Sequence, residues 1–338
     1  MINRILMSLL LTLLALAVAG AQNYHTPSEI TKIMEASPIA YQVGIFKPET
    51  RSKSPKRPLN HPGYFQKRTS RGIELVPFVL PTKVQSTLES AEKHFAAHRL
   101  AEARTEYLKI LGEVHEFSVA MTYIGQTYEM QHDRENARTW FLKAVDSNFV
   151  DYTPHWFLAD LLKSEGKLKE AAREITVAHA LNRNNTLILQ ALKMIYRAQK
   201  LKYSEWEFAP QCAVYKKGDA VIVELTKEWA AYALCKAVWA YEPGYRKKMT
   251  GSDRASPFDL TEETECLANL VSGHKILSGN KQPQDKAIRC AEKAIEQRKL
   301  VPFIIYEIWA PEHPSSVLSL PKEKIEELAE YVLKFRTI

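Results

Sequence analysis

Glycine is scarce, at 12 of 338 residues, and no glycine-rich phosphate loop, G-x-S-x-G elbow or H-E-x-x-H pair occurs. The short-motif routes to nucleotide binding, serine hydrolysis and zinc proteolysis are therefore missing. The 4 cysteines, Cys212, Cys235, Cys266 and Cys290, form no C-x-x-C pair, which removes the usual spacing for structural zinc or a dithiol redox centre. His94 and His98 share a helix face at ligand spacing, but no third ligand accompanies them. No catalytic residue, metal ligand or cofactor is assigned. Paired carboxylates of the glycosidase kind stay open, because their geometry is spatial.

Long apolar runs are also lacking beyond Ala21, so no later segment is expected to span a bilayer. Ahead of it, Arg4 precedes an apolar run at 5–18, and Ala19-Gly20-Ala21 offers small residues for cleavage. This pattern predicts a secretory signal peptide over 1–21 and a periplasmic or extracellular location. Gln22 stands where a lipoprotein needs cysteine, so no lipid anchor is expected. In an oxidising compartment the even cysteine count permits disulfides, while Cys235 and Cys290 lie in Ala-rich helical sequence that suits buried free thiols.

The formal charge of +7 is local. Lys47, Arg51, Lys53, Lys56, Arg57, Lys67, Arg68 and Arg71 stand against Glu49 alone, together with Pro48, Pro55, Pro58 and Pro62. With few aliphatic residues, the linker 47–72 cannot bury enough apolar area to offset the entropy of ordering it, and it reads as a flexible basic tether. Such a tether suits an anionic surface. No recognition helix or stacking motif accompanies it, so nucleic acid is not expected as a partner.

A self-comparison at one fixed offset aligns three units, beginning at Val84, Ser118 and Tyr152. Ser90, Ile124 and Leu158 share a column, followed by Ala91, Gly125 and Ala159, then His94, Tyr128 and Leu162. In the second half of each unit Ala103, Ala137 and Ala171 align, then Tyr107, Phe141 and Ile175, then Ile110, Ala144 and Ala178. A small residue lets two helices approach, and the large residue a turn later fills the space between units. On these columns, residues 84–185 resemble the tetratricopeptide repeat family. They depart from its pattern at unit ends, where His115, Phe149 and Arg183 replace the usual proline.

The resemblance implies an α-α solenoid whose first helices line a concave groove for a protein or peptide. The groove positions are Leu88, Glu92 and Phe95, then Thr122, Gln126 and Glu129, then Trp156, Asp160 and Lys163. Family members that clamp a chaperone's C-terminal carboxylate use several Lys, Arg and Asn there. Only Lys163 is of that kind, which disfavours that ligand. An acidic-leaning groove and a basic tether in one chain also raise the idea that the tether occupies the groove.

The fold class expected is mainly α. It comprises a signal peptide 1–21, an extended N-terminal segment 22–83, a repeat array 84–202 ending in a capping helix, and an α-rich domain 203–338. Ser28 is placed as the cap of a short helix, and 39–46 and 73–80 as extended pieces. Around Lys217-Gly218-Asp219 a hairpin and a helix start are both open. Helices are expected at 228–241, 262–277, 284–298 and 322–335, while 303–309 reads equally as helix or strand. Asn184-Asn185-Thr186 is a glycosylation sequon if the host is eukaryotic. The functional expectation is an exported interaction scaffold, with a cell-envelope enzyme whose 203–338 region is catalytic as the alternative.

Overall fold

The computed structural model describes residues 24–48, 56–59, 64–70, 72–279 and 281–338. The expected signal peptide lies outside them, as do Arg51, Lys53 and Arg71 of the basic stretch. The described residues hold five strands: β1 (Ala40–Ile45), β2 (Tyr64–Thr69), β3 (Gly72–Pro77), β4 (Cys212–Lys217) and β5 (Ala220–Leu225). The chain forms two compact units, one from the residues up to Pro55 with Glu205–Trp309, the other from Lys56–Ser204 with Ala310–Ile338.

In the second unit three helix pairs follow one another. The first (A) helices are Thr82–Ala96, Ser118–Met130 and Tyr152–Ser164, and the second (B) helices are Leu100–Glu113, Arg134–Ser147 and Leu168–Leu181. The small-residue columns lie in the core: Ala91, Gly125 and Ala159, and Ala103, Ala137 and Ala171, are buried, as are Tyr107, Phe141 and Ile175. Buried apolar area of this kind supplies most of the stability of a solenoid, because no single pair can cover its own face.

The A-to-B turn carries a periodicity of its own. His98, His132, Gly166 and Lys200, each one repeat period after the last, all have positive φ, at 56°, 64°, 76° and 63°. At each, the next residue's N–H closes back on the helix: Arg99 on His94, Asp133 on Tyr128, Lys167 on Leu162 and Leu201 on Tyr196. This left-handed cap satisfies end carbonyls that the helix leaves open. Helix Thr186–Ala198 ends in the same turn, so it is the A helix of an incomplete fourth repeat rather than an unrelated cap.

Residues 203–211 form no B helix after it, and the C-terminal helix Lys322–Phe335 packs on the B helix of the third repeat. The N–H of Ser204 donates to the Arg336 carbonyl at 2.6 Å, and Lys202 and Ile338 exchange backbone hydrogen bonds. The expected single domain over 203–338 is thus divided between the two units.

Part of the basic stretch is structured, contrary to the flexible-tether reading. β2 and β3 form an antiparallel hairpin, with Phe65 edge-on to Phe78 and Phe78 stacked on Phe117 at 4.9 Å. Gln66 anchors it by donating to the carbonyls of Leu318 and Leu320, each at 2.7 Å. Upstream, Asn182 holds both the N–H and the carbonyl of Leu59, at 3.0 and 3.1 Å. Asn148, the residue equivalent to Asn182 one repeat earlier, donates to the Tyr64 carbonyl at 3.0 Å. These asparagines close the B helices at the positions where the family pattern expects proline nearby.

In the first unit, helix Pro27–Glu35 starts from a capping box in which Thr26, not Ser28, is the cap. β1 pairs in parallel with β5, and β5 antiparallel with β4, giving the order β1-β5-β4. The 212–225 segment is the hairpin, turned at Gly218 with φ 60°. Helix Ala230–Tyr241 covers Val221 and Val223 of the sheet. It crosses Leu260–Ser278 so closely that a Cβ on Gly273 would lie 2.5 Å from the Ala231 Cβ. Asp259 and Asp285 cap Leu260–Ser278 and Lys286–Glu296, so the two helices begin two residues earlier and two later than the expected 262 and 284. The 303–309 run is helical, a π turn over Ile304–Trp309 following Leu300–Phe303. Pro302 is tolerated because N–H groups in a first turn have no intrahelical acceptor.

Candidate functional site in the repeat groove

The A helices of the second and third repeats touch, as do that of the third and helix Thr186–Ala198, so A helices make one continuous face. The predicted positions divide on it. Thr122 is buried, and its hydroxyl donates to the Ser118 carbonyl at 2.8 Å, so it meets no partner and is corrected to a core residue. Leu88 and Phe95 pack against the core of the first repeat, with Phe95 edge-on to Tyr123 at 5.3 Å. Both are half-buried. Glu92 is exposed, and Gln126, Glu129, Trp156, Asp160 and Lys163 are half-buried.

The surviving positions form an acidic, aromatic surface. Burial pushes the Glu129 carboxyl up, and the Asp160 charge adds to it while Arg134 opposes. Asp160 is pushed up by burial against the opposing pull of Lys163. Trp156 lies parallel to Phe157 with centroids 6.0 Å apart. Glu92 is close enough to help burial push the Tyr107 and Tyr123 phenols up. Sequence reasoning missed Tyr123 and Arg134. Tyr123 was legible, since it shares a repeat column with Phe157.

Neither of the other sequence candidates gathers into a site. His94 accepts from Arg99 at 2.9 Å, and His98 forms the left-handed turn. Among the described residues no group of His, Cys, Asp and Glu is arranged to hold a metal ion. The side-chain nitrogen of Asn184, the sequon's acceptor residue, donates to the Arg57 and Pro311 carbonyls, both at 3.0 Å, so it is engaged within the fold.

The first unit does hold convergent buried polar groups. Lys236 contacts Glu262 at 2.9 Å and also Glu263, and Arg246 contacts Asp259 at 2.6 Å and Glu262 at 2.5 Å. Burial pushes the Lys236 ammonium down, but Glu263, Tyr232 and Glu262 outweigh it and hold it above its ordinary range. Glu265, fully buried, accepts from the His25 N–H at 2.7 Å, Trp239 at 2.6 Å and Tyr245 at 2.9 Å. Each charge faces an opposite charge or several donors, which is how a packed interior carries ions. The arrangement spends its hydrogen bonds on joining four segments of chain.

No family model matches the chain, and no curated protein matches it. Similar solved structures include the first TPR of Spaghetti (RPAP3) bound to the HSP90 peptide SRMEEVD, 21% identical over 36% of this chain and 97% of that one, with a TM-score of 0.34. The Yersinia enterocolitica type III secretion chaperone SycD, in complex with a peptide of the translocator YopD, is 14% identical over 36% of this chain and 97% of that one, with a TM-score of 0.33. A chain of the APC/C hetero-tetramer Cut9-Hcn1 is 15% identical over 74% of this chain, with a TM-score of 0.31, and only 43% of its length is spanned. The assignment of the array rests on its own period. With helix pairs, packing columns and left-handed turns all recurring at one interval, residues 82–198 have a tetratricopeptide-like helical-repeat fold.

Proposed function

We propose that the protein is an interaction scaffold whose A-helix groove binds a segment of another protein that carries Lys or Arg beside an apolar residue. The observation that carries this reading is the Glu129 and Asp160 pair. Two carboxylates sit half-buried on neighbouring repeats, each made costlier to ionise by burial, with Trp156 beside them. A cationic side chain inserted there relieves the repulsion, while Trp156 supplies contact area at small entropic cost. The site is unlike one that holds a carboxylate terminus, because Lys163 is the sole cation among the predicted positions.

Peptides of one length and differing charge test it. Binding by fluorescence anisotropy is expected for Lys/Arg peptides and not for Asp/Glu peptides. It should weaken about tenfold or more in Glu129→Gln with Asp160→Asn, and in Trp156→Ala, as for a desolvated hot spot. Equal binding of both peptide classes would refute the reading.

Export rests on the 1–21 sequence pattern, and it places the scaffold in a periplasm or outside the cell. Among the described residues no helix is long and apolar enough to cross a membrane. Lys67 and Arg68, exposed on β2, then meet an anionic surface.

A further inference from the structure

The A helix of the incomplete fourth repeat, Thr186–Ala198, carries the groove one helix further. Counted by the repeat period, Gln190 follows Trp156, Met194 follows Asp160, and Arg197 follows Lys163. Together with Leu187 these residues recur at three- to four-residue spacing and all are exposed, whereas Ile188, Leu192 and Ile195 on the helix's other side are fully buried. Leu187 is 58% exposed and Met194 50% exposed. The face therefore changes character between neighbouring helices. Carboxylates at Glu129 and Asp160 give way to an apolar pair, and Arg197, one turn from Met194, repels a second cation there.

Asp160 and Met194 hold one column on A helices that touch, so they lie one interaxial distance apart, roughly 8–10 Å. A partner that meets both must present two side chains to one face at that interval. In a β-strand such side chains are about 7 Å or about 13 Å apart. In a polyproline II chain every third residue faces the same way, about 9 Å on. An α-helix matches only at about seven residues, and its backbone groups are already paired. The unpaired backbone of a polyproline II chain suits the carboxamides of Gln126 and Gln190, which stand on the same groove face.

Given a cation held by Glu129 and Asp160 as proposed above, we propose that the partner is a polyproline II segment with an apolar residue three positions from that Lys or Arg, packed on Leu187 and Met194. Charge complementarity selects this occupant. The cation is drawn to the carboxylates, and a second cation three positions on would meet Arg197. A uniformly basic segment is therefore a poorer ligand than one that sets an apolar side chain there. The two exposed apolar residues of the fourth A helix lose water on binding, and they fix the register of the segment along the groove.

Labelled peptides of one length and composition test the spacing by fluorescence anisotropy. Each carries an Arg-Leu pair in a serine background, with two further Leu placed two, three, four or seven residues to either side of the Arg, so that chain direction does not matter. The three-residue peptide is expected to bind the wild type about tenfold tighter than the others. The exposed double substitution Leu187→Gln, Met194→Gln, with its fold checked by circular dichroism, is expected to erase that preference and leave all four peptides bound alike. Tightest binding at two or four residues, as for a strand, or at seven, as for a helix, would overturn the proposal. So would equal binding of all four to the wild type, or a preference that survives in the double variant, and each of these leaves the cation site itself standing. Failure of every Arg peptide to bind would refute the cation site, and the spacing with it.

Discussion

A Cβ on Gly125 would fall 2.6 Å from both Cδ1 and Cε1 of Phe141. Both residues are buried, one on each helix of the second repeat, so the ring has no free volume to move into. Gly125→Ala should cost about 1–3 kcal/mol, as overpacked cores do, read as a lower urea midpoint. Phe141→Leu in the same chain should recover part of that loss. A Gly125→Ala chain as stable as wild type would contradict the packing described.

Asn182 clamps the backbone of Leu59 from both sides. Asn182→Ala should free this segment and speed tryptic cleavage after Lys56 several-fold, with little change in the helical circular dichroism signal. Unaltered cleavage kinetics would mean that the clamp does not hold the segment. Because Asn182 and Asn148 end the B helices, this part of the basic stretch is fastened to the repeat ends, which bears against its lying along the A-helix groove.

Burial first, and then Arg183, Arg336 and Lys193, push the His179 imidazole down from 6.5 to about 3. In this interval the unfolded chain binds a proton that the folded chain does not, so stability rises with pH there. The contribution is complete above pH 6.5 and is lost as pH falls toward 3. Urea titrations from neutral pH down to about pH 4 should show stability declining, with a shallower decline in His179→Gln. An identical pH slope in the two proteins would rule out this origin.

The groove carboxylates act in the opposite sense. Glu129 and Asp160 have folded pKa values raised by burial, so the folded chain holds their protons more tightly and loses stability as pH rises through them. A cationic peptide needs them ionised. Its affinity should therefore fall as pH drops, beginning above the ordinary carboxylate range of about 4. The double variant Glu129→Gln, Asp160→Asn should show no such fall, and calorimetry at several pH values would expose one if it persisted.

Glu265 joins the N-terminal residues to the helices of the first unit through His25, Trp239 and Tyr245. Glu265→Ala leaves those donors without their acceptor and should destabilise the chain by on the order of 3 kcal/mol. Thermal unfolding followed by tryptophan fluorescence, sensitive to Trp239, would record it. A melting temperature equal to wild type would show that water replaces the carboxylate without loss.

The repeat array was legible in the sequence because its information is local and periodic. Ala91, Gly125 and Ala159 recur at a constant interval, and a small residue at a helix crossing has one physical use. The left-handed turn at His98, His132, Gly166 and Lys200 was equally periodic but carried by unlike residues, since the shared requirement is on φ and not on the side chain. The groove was half legible: spacing placed Glu129, Trp156 and Asp160 on the A-helix face. Whether Thr122 and Phe95 reached the surface depended on the crossing angle between helices, which the spacing does not encode.

The sequence by itself determined the period, the helix pairs and the uneven charge. Tertiary structure alone decided that residues 322–335 pack on the third repeat, that residues 40–45 join a sheet with residues 212–225, and that Glu265 gathers donors from three segments. Contacts between segments far apart in the chain leave no short-range pattern, because they depend on complementary surfaces that exist only once each segment has folded.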